Sequence, residues 1–257
     1  MKWERLLRGS LVLVCVLCAA TAFGMEKVSL TSGEWPPYYS QSLPHGGVAN
    51  QIITESFAQV GMTVDYVFLP WKRALDATMV GATVGSSGWL RTAEKEKDFL
   101  YSASIFESMR VLFYRRDRKF DWNEPQDLKD LRVAVALGSV SEIPLDSIFD
   151  QGKGKIDVAK SYASGMRKLA AGRVDVYICN LAVGLYLLRK QIPREEALLI
   201  TYHPKPFMVE ENHLIISRQA KGGQEIMDAF NQGLRQLRKS GRYDQIFDEY
   251  FQFDAVR

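Results

Sequence analysis

The chain has 257 residues, 47% of them hydrophobic and 25% charged, the balance of a soluble globular protein with room for one large domain or two small ones. Its formal net charge is +3, and Lys2, Arg5 and Arg8 against Glu4 supply +2 of that, so the remainder is nearly neutral. No basic stripe interleaved with aromatics runs through it, which excludes the electrostatic footprint of a nucleic-acid-binding protein.

MKWERLLRG is a short basic head, and SLVLVCVLCAATAFG is an apolar run that ends in small residues. This is the pattern of a secretory signal peptide over residues 1–24, with cleavage after Ala22 or after Gly24. A membrane anchor is the other reading, but the run falls short of the about 20 apolar residues that a span needs. Export permits disulfides, yet removal of the signal leaves Cys179 alone. The mature chain must be held by its core.

EKVSLTSG alternates and reads as a strand ending at Gly33, followed by the aromatic and proline-rich loop EWPPYYSQSLPHGG. Val48, Ile52, Ile53, Phe57 and Val60 then form one helical stripe that stops at Gly61. TVDYVFL is a second strand, PWKRALDATMVG a helix with proline in its first turn and glycine past its end, and ATVGSSGW a short strand. Beyond the charged run RRDRKFDWNEPQDLKD a second cycle begins. RVAVAL is a strand, GSVSEIP a possible helix opening, KIDVAKSYAS a strand and connector, and GMRKLAAG a helix. RVDVYICN, AVGLYLLRKQ and NHLIISRQ continue as strand, helix and strand. Ile226, Phe230, Leu234 and Leu237 mark a long helix ending at Gly241, and Tyr243, Ile246, Phe247, Tyr250 and Phe251 mark another. Alternating strands and helices argue for α/β units around parallel strands. MRVLFYRRD and HLIISRQ bracket the middle segment, so the expected lobes are 25–113 with 218–257, and 114–217, with a ligand cleft between them.

Five motifs stand in order along this frame: GEWPPYY, TAEKEKDFLYS, DLKDLRVAVALGS, GRVDVYICN and LRKSGRYDQIFDEYF. Together they resemble the bacterial family 3 extracellular solute-binding proteins, periplasmic receptors for polar amino acids and related solutes in ABC importers. The resemblance implies two α/β lobes, each a mixed sheet flanked by helices, that close on ligand like a hinged clamp. It implies aromatic contacts from Trp35 or Tyr38 and from Trp71, and backbone contacts around Gly88, Trp89 and Leu90. It further implies an anion seat at Ser139, behind Gly138 at a helix start. The family's carboxylate-gripping arginine falls on Lys95, and its ammonium-receiving aspartate falls on Asn180. Lysine is a point charge where arginine is a planar fork, and asparagine carries no charge. These departures suit an anionic or mostly neutral solute better than an amino acid held at both ends, unless Arg91 swings in to replace the fork.

Each residue also has a plainer role. Lys95 lies in an E-K-E-K run that usually forms a solvated face. Trp71 fits a core position, Trp35 and Tyr38 fit local packing in their loop, and Asn180 fits a helix cap. Cys179 fits a small buried residue. No Gly-x-Ser-x-Gly elbow, His-Glu-x-x-His or P-loop occurs, and His45, His203 and His213 are scattered. Neither a catalytic site nor a metal or cofactor is expected. The expectation is a periplasmic, monomeric protein that binds a small solute and presents it to an ABC permease. A sensing partner of a signalling receptor and a dehydratase-like enzyme, with Glu34 as acid or base, are the alternatives.

Overall fold

The computed structural model describes residues 26–137, 139, 149 and 154–251. The expected signal peptide, and all but Ser139 of the possible helix opening at GSVSEIP, lie outside them. β1 (Glu26–Ser32) leads through a turn closed by a Trp35–Tyr39 bridge into α1 (Val48–Ala58). β2 (Met62–Phe68) returns parallel to β1, with Val28 opposite Val64. Val48, Ala49, Ile52, Ile53 and Phe57 of α1 are all fully buried, as their helical spacing requires. α2 (Trp71–Met79) starts directly after Pro70, and β3 (Gly85–Trp89) lies parallel to β1 on its other side.

β4 (Phe99–Tyr101), β5 (Phe106–Arg115), β6 (Arg132–Ala136) and β7 (Lys155–Ala159) follow, then α3 (Tyr162–Ala170), β8 (Val176–Asn180), α4 (Leu181–Lys190), α5 (Arg194–Ala197), β9 (Ile200–Tyr202) and β10 (Met208–Ser217). α6 (Gly223–Lys239) and α7 (Arg242–Phe251) close the described chain. α3 opens on a reciprocal cap in which Ser161 accepts from the Ser164 N–H and Ser164 accepts from the Ser161 N–H.

The strands run in the order β2-β1-β3-β10-β5-β8-β6-β7, with β4 on β10 and β9 on β5. β10 belongs to both halves. Its residues 208–212 pair antiparallel with β5, whereas 213–217 pair antiparallel with β3 and β4, and the register shifts between His213 and Ile215. Each half is mixed, with parallel β1, β2 and β3 in one and parallel β6, β7 and β8 in the other. Of residues 106–113, which the sequence assigns to the first lobe, 106–110 pair with β10 and 110–113 with β8.

In β5, Val111 and Phe113 point into the main core with Tyr177 and Cys179, while Leu112 points to a second cluster with Trp122, Leu128, Val133 and Ile178. Apolar residues on both faces mark a sheet covered on both sides. On α6 the expected stripe of Ile226, Phe230, Leu234 and Leu237 is buried, and Phe230 meets Phe57 of α1 at 5.2 Å between ring centres. Each such side chain contributes roughly 1.5–3 kcal/mol on burial. Among the described residues no helix is long and apolar enough to cross a membrane.

Candidate functional site

A cleft of about 850 Å³ opens where β10 changes sheets. One wall is aromatic. The Trp71 indole meets Tyr39 and Trp89 edge-on, at 5.8 and 5.7 Å, and its Nε1 donates to the Glu34 carbonyl at 3.3 Å. Two glycines make room for it. A methyl group at Gly33 would lie 2.4 Å from the Trp71 ring, and one at Gly88, where φ is +87°, would lie 2.8 Å from Tyr39 and 3.0 Å from Trp71. Trp89 is fixed in turn by donating Nε1 to Ser86 Oγ at 2.8 Å. Beneath them Ser87 Oγ donates to Asn50 Oδ1 at 3.1 Å, and Asn50 Nδ2 donates to Ser32 Oγ at 3.2 Å, tying the ends of β1 and β3 to α1. Trp35 completes the wall, and its buried Nε1 has no acceptor among the described residues.

The rim is cationic on one side. Lys95 begins a single 3₁₀ turn, half-buried, with Nζ 5.9 Å from the Trp89 ring centre and 3.5 Å from Thr92 Oγ1, and it forms no ion pair among the described residues. The E-K-E-K run thus turns Lys95 toward the cleft. Arg91 also lines it but is engaged, with its guanidinium over the Tyr101 ring at 5.3 Å and Nε 3.5 Å from Glu96. Leu90 and Gly88 border the same side, and the Leu90 carbonyl accepts from the Tyr101 hydroxyl.

The opposite side comes from residues that sequence reasoning passed over. Arg110 of β5 and Glu210 of β10 form a buried ion pair, Nε to Oε2 at 2.8 Å, with side chains only 3% and 6% exposed. Glu211, Asn212 and His213 follow on β10, and Tyr162 enters from the start of α3. Asn212 Nδ2 donates to Ser108 Oγ at 3.1 Å. His213 is 4% exposed, and its Nδ1 lies 2.9 Å from the Ser102 carbonyl, so that nitrogen carries the proton. Burial pushes its pKa down, Arg91 reinforces this, and Ser102 and Glu211 oppose it, leaving a neutral ring at pH 7. The signal available in the sequence was positional: HLIISRQ reads as a crossover, and the residues leading into a crossover border the cleft.

Seven of the ten expected residues line this space: Trp35, Trp71, Gly88, Trp89, Leu90, Arg91 and Lys95. The other three lie elsewhere. Tyr38 is buried, stacked on Phe106 at 4.4 Å, and burial raises its phenol pKa far above normal against the opposing effect of the nearby Asn180 amide. Asn180 is 1% exposed and caps α4, accepting the Val183 N–H on Oδ1 at 3.3 Å. Ser139 is fully buried and donates to the Ala136 carbonyl at 3.1 Å. Cys179 is buried, which pushes its thiol up to about 12. Among the described residues no cluster of three His, Cys, Asp or Glu side chains could hold a metal.

Residues 28–253 match the profile of the bacterial extracellular solute-binding proteins, family 3. The chain belongs to that family. A probable histidine-binding protein of Neisseria gonorrhoeae is 23% identical over 190 residues, 73% of this chain and 68% of that one. A probable amino-acid-binding protein, YxeM, of Bacillus subtilis (strain 168) is 20% identical over 266 residues, 99% and 97% of the two chains. Among solved structures, a histidine kinase sensor domain with similarity to periplasmic binding proteins superposes with a TM-score of 0.70 at 19% identity, covering 88% of this chain and 96% of that one. The fold of this family 3 protein is accordingly the two-lobed periplasmic-binding-protein fold, with the cleft between its lobes.

Proposed function

We propose that this family 3 protein captures a small polar solute, an amino acid or a related carboxylate, by closing its lobes on it. The cleft carries this reading. It is lined by Trp71, Trp89 and the Arg110–Glu210 pair, and by Lys95, a cation with no ion pair among the described residues. A solute that touches both sides binds the closed state more tightly than the open one, and that difference drives closure. Lys95 receives an anionic group as a point charge, while Trp35, Trp71 and Trp89 cover the solute's apolar faces. The relatives' names, histidine-binding and amino-acid-binding, support an amino-acid-type solute.

Residues 1–24 then act as the signal peptide, the mature monomer works in the periplasm, and an ABC permease in the inner membrane takes the solute from the closed form. The strand pairing favours crossings between lobes beside Phe106 and Asn212, so that 106–212 form the second lobe. The likeness to a kinase sensor domain favours one further reading, in which the same closure reports to a signalling receptor.

The test is a thermal-shift screen of residues 25–257 with amino acids, small carboxylates, amines and sugars. A solute at 100 times its Kd should add about 2.7 kcal/mol to stability. Lys95→Ala should weaken that binding at least tenfold and leave the unliganded Tm unchanged. Unaltered affinity would assign Lys95 to the solvated surface.

A further inference from the structure

A second concavity, of about 450 Å³, shares no lining residue with the cleft. Its walls come from two bodies. One wall is Pro37, Leu43 and Pro44 with Tyr250 and Phe251 of α7. The Tyr250 hydroxyl donates to the Pro44 carbonyl, and Arg242 of α7 donates Nε to Glu55 of α1 at 2.9 Å, so this wall is tied to α1. The other wall is Ala182 and Tyr186 of α4. That helix lies close on β5, since a methyl group at Gly184 would come within 2.2 Å of the Phe113 ring. On the boundaries proposed above, the two walls belong to different lobes.

The lining is mostly apolar and aromatic with a few polar groups, the make-up of a small-molecule site. Those polar groups are mainly cationic. Arg189 and Lys190 stand exposed in the last turn of α4, and Lys190 forms no ion pair among the described residues. Glu249, the one carboxylate among the described lining residues, is already paired with Arg242. An ammonium group entering here would meet Arg189 and Lys190 as like charges, whereas an anion on an apolar body matches both the walls and the edge.

We propose that this pocket is a second ligand site, separate from the solute cleft, which takes an aromatic carboxylate that lacks an ammonium group. The ring lies between Tyr186 and Phe251, and the carboxylate lies at Arg189 and Lys190. The site does not depend on what fills the cleft. Because its walls belong to different lobes, a bound carboxylate favours the lobe arrangement that holds them together, and by linkage solute capture and its binding affect one another equally.

The probe is 3-phenylpropanoate, with 3-phenylpropan-1-ol as the analogue without charge and butanoate as the analogue without a ring. Titration calorimetry on residues 25–257 should give 3-phenylpropanoate a Kd of about 1 mM or tighter, with both analogues at least tenfold weaker. Tyr186→Ala should weaken the probe, and the double change Arg189→Gln with Lys190→Gln should weaken it about tenfold while leaving 3-phenylpropan-1-ol unaffected. The unliganded Tm controls for folding, and if it falls in either variant, Lys190→Gln alone decides. No binding to the full chain overturns the inference, and binding gained only on removing residues 252–257 would assign the pocket to the chain's own end. Binding that Trp71→Ala or Lys95→Ala removes and Tyr186→Ala leaves unchanged takes place in the cleft, and it too overturns the inference. A solute shift in the thermal screen without 3-phenylpropanoate binding keeps solute capture and removes this second site.

Discussion

Trp71 stands where it does because its neighbours lack side chains. Gly88 combines a left-handed φ of +87° with a contact that a methyl group would close to 2.8 Å, so Gly88→Ala must strain the backbone and displace the Tyr39 or Trp71 ring. The expected loss is about 1–3 kcal/mol, read by urea unfolding, together with a changed tryptophan fluorescence in the folded state. Wild-type stability and an unchanged spectrum would show that the wall tolerates the methyl group. At this scale the sequence was readable wherever a residue type had few other uses. Trp89 among glycines and serines, and Lys95 before an aromatic–serine pair, both face the cleft. Tyr38 was not separable from Trp35, because adjacent aromatics in a proline-bearing loop carry no period that says which one turns inward. Only the stacking of Tyr38 on Phe106 decides it.

The element that sequence reasoning read least well is β10. It was expected from Asn212 onward, yet it begins at Met208, since two consecutive glutamates break the apolar alternation that marks a strand. What holds Glu210 and Glu211 in a strand is their ladder with Ser108 and Glu107, a long-range pairing that no local pattern encodes. The helices were easier, because α1 and α6 carry their packing partners as a repeating stripe. The Arg110–Glu210 pair joins β5 to β10 out of water, so removing one member leaves the other charge buried. Glu210→Leu should therefore cost about 3–5 kcal/mol, and the double change Arg110→Met with Glu210→Leu should recover most of it. Urea midpoints of the three proteins decide the matter. A double variant as unstable as the single one would show that the pair acts through its other contacts.

For the molecule as a whole, His213 and Asp175 contribute to separate limbs of the acid response. His213 titrates near 6.5 when unfolded and lower when folded, first because of burial and then because of Arg91, with Glu211 pulling the other way. The unfolded chain takes up that proton first, and stability rises with pH wherever the unfolded state holds more protons. The contribution is complete above about pH 6.5 and is lost as pH falls below it toward the folded value. His213→Gln should flatten the Tm profile between about pH 6.5 and 5. It should leave intact the deeper limb, to which Asp175 contributes, its carboxyl held at about 2 by hydrogen bonds from Arg132. A profile unchanged between those limits would place the His213 ring in water when folded. A last consequence concerns inheritance. Phe106 and Asn212 sit opposite one another in the ladder, so on the proposed boundaries the second lobe would enter and leave through a single doorway. A segment whose two ends already touch can be cut out and replaced by a counterpart of different length without moving the ends it is joined to. On those boundaries, recombination could exchange one lobe while the other, with its tryptophan wall, is passed on unaltered.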